Sequence, residues 1–192
     1  MQQIGISPII RMDRIGFNEY AKEHVVPATL RLLIVSDGSM TRLLRGWSLA
    51  DVTLETVCLD DRPAGKETAQ WLEIPEDTSV YHREVWLKAN DDKLVFASSD
   101  WHLSNTDIEL DNLATQFVGD LRTSAVPVGD LIRRRGLWSR HDLLEIGQYR
   151  SDELSRLWGG ESFWGRRYRM QVEGIVSGTI LEIFSPRLGE AQ

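Results

Sequence analysis

The chain has 192 residues, 42% of them hydrophobic and 27% charged, with a net charge of −7 from 22 Lys and Arg against 29 Asp and Glu. This composition excludes a mainly disordered chain, and the acidic balance argues against nucleic-acid binding, which needs a basic surface to meet phosphate. The one cysteine, Cys58, excludes a disulfide framework or a cysteine-rich zinc site and reads as a small core residue between Val57 and Leu59. No segment approaches the ~18 apolar residues of a membrane span, so no membrane insertion is expected. The first residues lack the basic start and apolar middle of a signal peptide, so a cytoplasmic protein is expected.

In chain order, residues 1–20 mix Gly, Pro and isolated apolar residues and read as an extended lead-in. Pro27 marks a helix start, because its fixed φ suits a first turn. Leu30, Leu33 and Ile34 follow at helical spacing, Asp37-Gly38 stops the helix, and Thr41 to Leu44 reads as a short second turn. Residues 52–57 alternate apolar and polar and predict a strand. Asp60 to Gly65 reads as a polar turn. Strands are predicted at 79–89 and 93–103, joined by a hairpin at Asn90, Asp91 and Asp92. A helix at 106–121 carries Ile108, Leu110, Leu113, Phe117 and Leu121 on one stripe. Pro127 opens a helix through Arg135, and Leu137 to Tyr149 is extended. Ser151 caps a one-turn helix ending at Gly159-Gly160. Residues 162–172 and 177–185 form a last hairpin, turned near Gly174. Short turns between adjacent strands predict an α+β domain over 1–192, one antiparallel sheet with helices on one side.

Period-2 alternation assigns each strand residue to a face. Arg83 shares a face with Tyr81, Val85 and Leu87, while His82, Glu84 and Trp86 take the other. Glu182 lies among Ile180 and Phe184, and Arg166 among Trp164, Tyr168 and Met170. A charge on an apolar face is costly unless it meets a counter-charge. Two readings follow. One is a set of internal ion pairs. The other is an enclosed polar pocket, in which Arg83 holds a substrate carboxylate through its bidentate fork and Glu182 works as acid or base. His24, His82, His102 and His141 lack the mutual spacing of a metal site and read as surface or structural residues; Asp100 and His102 share a face as a candidate pair. No Walker loop, dinucleotide fingerprint or nucleophile elbow is present.

These charges lie within phrases that resemble the chorismate pyruvate-lyase family. They are Leu33-Ile34-Val35-Ser36-Asp37-Gly38-Ser39-Met40-Thr41-Arg42, Tyr81-His82-Arg83-Glu84-Val85-Trp86-Leu87 and Pro127-Val128-Gly129, then Leu144-Glu145-Ile146-Gly147, Phe163-Trp164-Gly165-Arg166-Arg167 and Leu181-Glu182-Ile183-Phe184-Ser185-Pro186, all in the family's order. The resemblance implies a cofactor-free lyase that splits chorismate into 4-hydroxybenzoate and pyruvate. It also implies an antiparallel sheet of about six strands flanked by helices, in a monomer needing no metal. Carried over by position, Arg83 would bind the ring carboxylate with help from the Met40 backbone N–H. Glu182 would face the ring hydroxyl, near the Val128 backbone. The stretch Ser98-Ser99-Asp100-Trp101-His102-Leu103 lacks the arginine of typical bacterial members. Together with Phe163-Trp164-Gly165-Arg166 and the Phe-Ser-Pro ending, it is more similar to the branch of photosynthetic lineages. Two alternatives stand beside this reading: a same-fold enzyme acting on another small carboxylate, and an effector-binding domain like that of GntR-type regulators. The latter carry a winged helix ahead of the domain, for which about 25 residues before the first helix are too few.

Overall fold

The computed structural model describes residues 3–103, 108–123, 126–174 and 176–190. Its strands are β1 (Ser7–Met12), β2 (Val52–Pro63), β3 (Ser79–Ala89), β4 (Asp92–Leu103), β5 (Ser139–Arg150), β6 (Phe163–Val172) and β7 (Val176–Phe184). They form one sheet in the order β1-β5-β6-β7-β4-β3-β2, and each neighbouring pair is antiparallel. The helices are α1 (Arg14–Glu23), α2 (Ala28–Val35), α3 (Met40–Ser48), α4 (Lys66–Leu72), α5 (Ile108–Thr123), α6 (Val128–Arg135) and α7 (Asp152–Trp158).

The turn chemistry explains most boundaries. Asn90 and Asp91 both adopt positive φ between Ala89 and its partner Asp92, a two-residue hairpin suited to Asn and Asp. The Ser151 hydroxyl accepts the Leu154 N–H to start α7, and Gly159 ends it. Pro27 and Pro127 stand one residue before α2 and α6, where a missing N–H costs nothing.

Four expectations are corrected. Residues 1–20 are not an extended lead-in throughout. β1 adds a seventh, edge strand against β5, with Pro8 at a register shift, where a proline is tolerated. The Asp13 carboxylate then caps α1 by accepting the Gly16 N–H at 2.7 Å. Asp60 to Pro63 is strand, because β2 lies at the other sheet edge, where Arg62 reaches Asp100 at 2.9 Å and Asp61 meets Arg122. Cys58, on that edge, is half-buried. Helices cover both faces. α4 and α7 pack on the face of Val80, Trp86, Phe96 and Ile183, opposite the face of Arg83. In the 106–121 segment, residues 106 and 107 and the side chains of Ile108, Leu110 and Leu113 lie outside the described residues, while Phe117 and Leu121 are buried.

On the Arg83 face the core has two parts. One joins Phe17, Leu30, Leu33, Ile34 and Leu44 of α1 to α3 with Leu87, Val95 and Phe184 of the sheet. The other joins Phe117, Leu121, Leu131 and Ile132 of α5 and α6 with Trp101, Met170 and Ile180. The seam between them is not filled.

Candidate active site

That seam is a cavity of about 380 Å³, within the range of small-ligand sites. Its floor is the sheet, with Arg83 and Leu87 from β3, Ser99 from β4, Glu182 from β7 and Tyr168 from β6. Its roof is made by the starts of α3 and α6, at Met40 and Val128. All four residues carried over by resemblance, Arg83, Glu182, Met40 and Val128, therefore line one cavity.

Met40 and Val128 are each the first residue of a helix. The N–H of a first helical residue has no acceptor within its own helix, and the helix dipole makes that end positive. Both sites thus offer a backbone donor rather than a side-chain function. The two helices are held together by the Arg45–Asp130 ion pair at 2.8 Å. They approach so closely that a Cβ on Gly129 would come within 2.7 Å of the Ser39 hydroxyl oxygen. Any larger residue there would require the Ser39 side chain to shift. The Ser39 hydroxyl has no hydrogen-bond partner among the described residues.

Arg83 is 2% exposed and donates to the Val126 carbonyl at 3.3 Å, just ahead of α6. Burial presses its pKa down from the usual arginine value. Arginine nonetheless stays charged throughout the ordinary pH range, so the cavity wall holds a desolvated cation.

Glu182, 3% exposed, is not balanced by Arg83 but by Arg166. The two stand opposite in the β6–β7 ladder, and Arg166 Nε donates to Glu182 Oε2 at 2.7 Å. Tyr168 donates its hydroxyl to Glu182 Oε1 at 3.1 Å. Burial opposes the charge of Arg166, but Glu182 and Tyr168 outweigh it and the net shift is upward. Burial, with the neighbouring Glu182, pushes the Tyr168 phenol well above its usual range, so it keeps its proton. Glu182 and Arg166 thus form an internal ion pair, and Glu182 also lines the cavity.

His141 also lines the cavity. It stacks on Tyr168 with ring centroids 5.4 Å apart and lies 3.3 Å from the Ser139 hydroxyl. Burial lowers its pKa, so the imidazole is neutral near pH 7. The alternation of Leu137 to Tyr149 could have signalled His141, Leu143 and Ser139 as one face. Asp100 pairs with His82 at 2.8 Å, not with His102, because the β3–β4 register sets His82 opposite Asp100 on the far face of the sheet. Among the described residues no three His, Cys, Asp or Glu side chains converge as a metal site.

A family model described as chorismate pyruvate-lyase Rv2949c-like matches residues 34–192. The chain belongs to this family. As a member of the chorismate pyruvate-lyase Rv2949c-like family, it is 29% identical over 167 residues to a Pseudomonas aeruginosa protein named "Probable chorismate pyruvate-lyase", covering 85% of this chain and 86% of that relative. It is 26% identical over 181 residues to "Uncharacterized protein ycf21" of Porphyra purpurea, covering 93% of each. That second match accords with the expected likeness to photosynthetic lineages. The fold is shared with PhnF of Mycobacterium smegmatis, at a TM-score of 0.59 and 15% identity, over 80% of this chain and 66% of that longer one. The PhnF effector domain matches at a TM-score of 0.57 and 15% identity, over 80% of this chain and 91% of the domain. No described helix is long and apolar enough to cross a membrane.

Proposed function

We propose that the protein is a chorismate lyase, converting chorismate to 4-hydroxybenzoate and pyruvate without a cofactor, for a quinone-type biosynthetic route. The observation that carries this reading is a cavity with a buried guanidinium at one end and a buried carboxylate at the other. Arg83 pairs with Ser99 and Glu182 with Ala97, so their Cα atoms lie two strands and two residues apart. Strand spacing and rise make that roughly 12 Å. Such a span suits a six-membered ring with a carboxylate and a hydroxyl at opposite positions.

In this reading Arg83 and the Met40 N–H hold the ring carboxylate, and Glu182 with the Val128 backbone meets the ring hydroxyl. The ring C3–oxygen bond breaks, the C4 hydrogen leaves as a proton or passes to the enolpyruvyl methylene, and the ring becomes aromatic. The three-carbon fragment, protonated at its methylene, leaves as pyruvate. Aromatisation supplies the driving force. The protein's part is to hold one conformer of a flexible dianion and exclude water.

The test is incubation of purified protein with chorismate, with 4-hydroxybenzoate and pyruvate quantified by mass. Equal amounts of both products, formed equally after treatment with EDTA, are expected. A second reading, a binding domain for a small carboxylate, draws support from the fold shared with the PhnF effector domain. Tight binding of chorismate or 4-hydroxybenzoate without turnover would favour that reading.

A further inference from the structure

Glu182 is held from two sides by groups that the lyase reading does not employ. Arg166 Nε takes Oε2 at 2.7 Å and the Tyr168 hydroxyl takes Oε1 at 3.1 Å. Arg166 is itself immobilised. Its Nη1 donates to the carbonyls of Leu33 at 3.0 Å and of Ser36, at the end of α2, where helix carbonyls lack partners and a cation is favoured. Tyr168 is braced by the His141 ring. The charged and titratable groups gathered about this end of the cavity are Arg14, Asp37, His141, Arg166 and Tyr168, with Arg83 of β3 at the other end.

A carboxylate offers about four lone-pair positions, and these two donors use one on each oxygen. The remaining positions can accept a further hydrogen bond. Taking a proton is a different matter. It would leave the Arg166 guanidinium, 3% exposed, buried without its counter-ion. The arrangement suits an acceptor fixed in direction and charge, not a base that swings and cycles.

We propose that Tyr168 and Arg166 are positioning residues that hold Glu182 as an ionised acceptor for the ring hydroxyl of the substrate. This inference rests on the lyase reading and deepens it. Glu182 orients the ring through that hydroxyl, and the C4 hydrogen leaves by another path. Tyr168 contributes direction: its hydroxyl sets which Glu182 lone pair remains open.

The test compares the dissociation constants of 4-hydroxybenzoate and benzoate, which differ only in the hydroxyl. The wild-type protein should prefer 4-hydroxybenzoate by about 10-fold or more, the range for a hydrogen bond to a charged group. In Tyr168→Phe the affinity for 4-hydroxybenzoate should fall roughly 5- to 20-fold, while benzoate binding stays within about twofold. Arg166→Lys keeps the charge but loses the planar fork, and should show the same selective loss. A merely structural role would weaken both ligands alike. Equal losses, or none, overturn the positioning role and leave the lyase reading standing. Glu182→Gln removes the ionised acceptor and should weaken 4-hydroxybenzoate at least as much as Tyr168→Phe does, with benzoate far less affected. A loss of kcat beyond about 10³-fold with 4-hydroxybenzoate affinity unchanged would mark proton transfer and overturn the proposal. A wild-type protein that binds neither aromatic acid and does not turn over chorismate overturns the lyase reading, and this inference with it.

Discussion

Arg166 and Glu182 face each other across the β6–β7 ladder and close a 2.7 Å ion pair in which both side chains are nearly fully buried. This pair, not Arg83 with Glu182, neutralises the carboxylate. The two arginines should therefore behave differently. Arg166→Met leaves a buried carboxylate and the α2 carbonyls without their donor, a loss of about 3–5 kcal/mol. Thermal unfolding should show a large fall in Tm, whereas Arg83→Gln should change Tm far less. Equal falls would contradict this division.

Arg83→Ala should act on function. Losing a buried, charge-assisted contact costs about 2–5 kcal/mol, which corresponds to roughly 30- to 5000-fold in kcat/KM. On the lyase reading the ring carboxylate is present in both ground and transition states, so much of the loss should appear in KM and in product affinity. Steady-state kinetics with chorismate, alongside direct binding of 4-hydroxybenzoate, check this. A fall in kcat alone would contradict it.

The roof over the cavity depends on contacts between α3 and α6. Asp130, buried beneath Arg45 and Arg133, ties them together. Its carboxyl pKa is held low by the Arg45 hydrogen bond. Asp130→Ala should speed release of 4-hydroxybenzoate by roughly 2- to 5-fold, as expected for an interaction worth up to about 1 kcal/mol. Stopped-flow fluorescence, with tryptophan as reporter, measures the rate. In the wild type, release is expected to be slower than chemistry.

Gly129→Ala tests the close approach directly. The added methyl carbon would meet the Ser39 hydroxyl oxygen at 2.7 Å, so either that hydroxyl turns away or the two helix starts move apart. Overpacking of this kind costs about 1–3 kcal/mol. Affinity for 4-hydroxybenzoate should fall, and Gly129→Ala combined with Ser39→Gly should recover most of it. Failure of the double variant to recover would place the strain elsewhere.

On the opposite face, His82 lies between Asp100 at 2.8 Å and Glu84 at 3.4 Å. Burial alone would lower its pKa, but the hydrogen bond to Asp100 and the nearby Glu84 carboxylate outweigh this and raise it to about 8. The folded state therefore holds a proton that the unfolded chain releases above about pH 6.5. The resulting stabilisation is complete below pH 6.5 and is lost as pH rises through 8. Chemical denaturation at pH 6 and pH 9 should differ by an amount on the order of 1–2 kcal/mol from this group. His82→Asn should flatten that dependence.

Strand periodicity in the sequence already located the charges that line or adjoin the cavity. Arg83, Arg166 and Glu182 stood on apolar faces at positions where a charge demands a partner or a ligand. Proline and the Asn-Asp turn marked the ends of α2, α6 and the β3–β4 hairpin, because these signals are local. The edge strand β1 and the later part of β2 were less legible, since edges admit proline and charge and so lose clean alternation. The choice of partners was not local at all. Whether Glu182 meets Arg166 or Arg83, and whether Asp100 meets His82 or His102, depends on strand order and register. These are fixed only when the whole sheet pairs. The same holds for the cavity, which exists because two helix starts far apart in sequence, at Met40 and Val128, close over one seam between two cores.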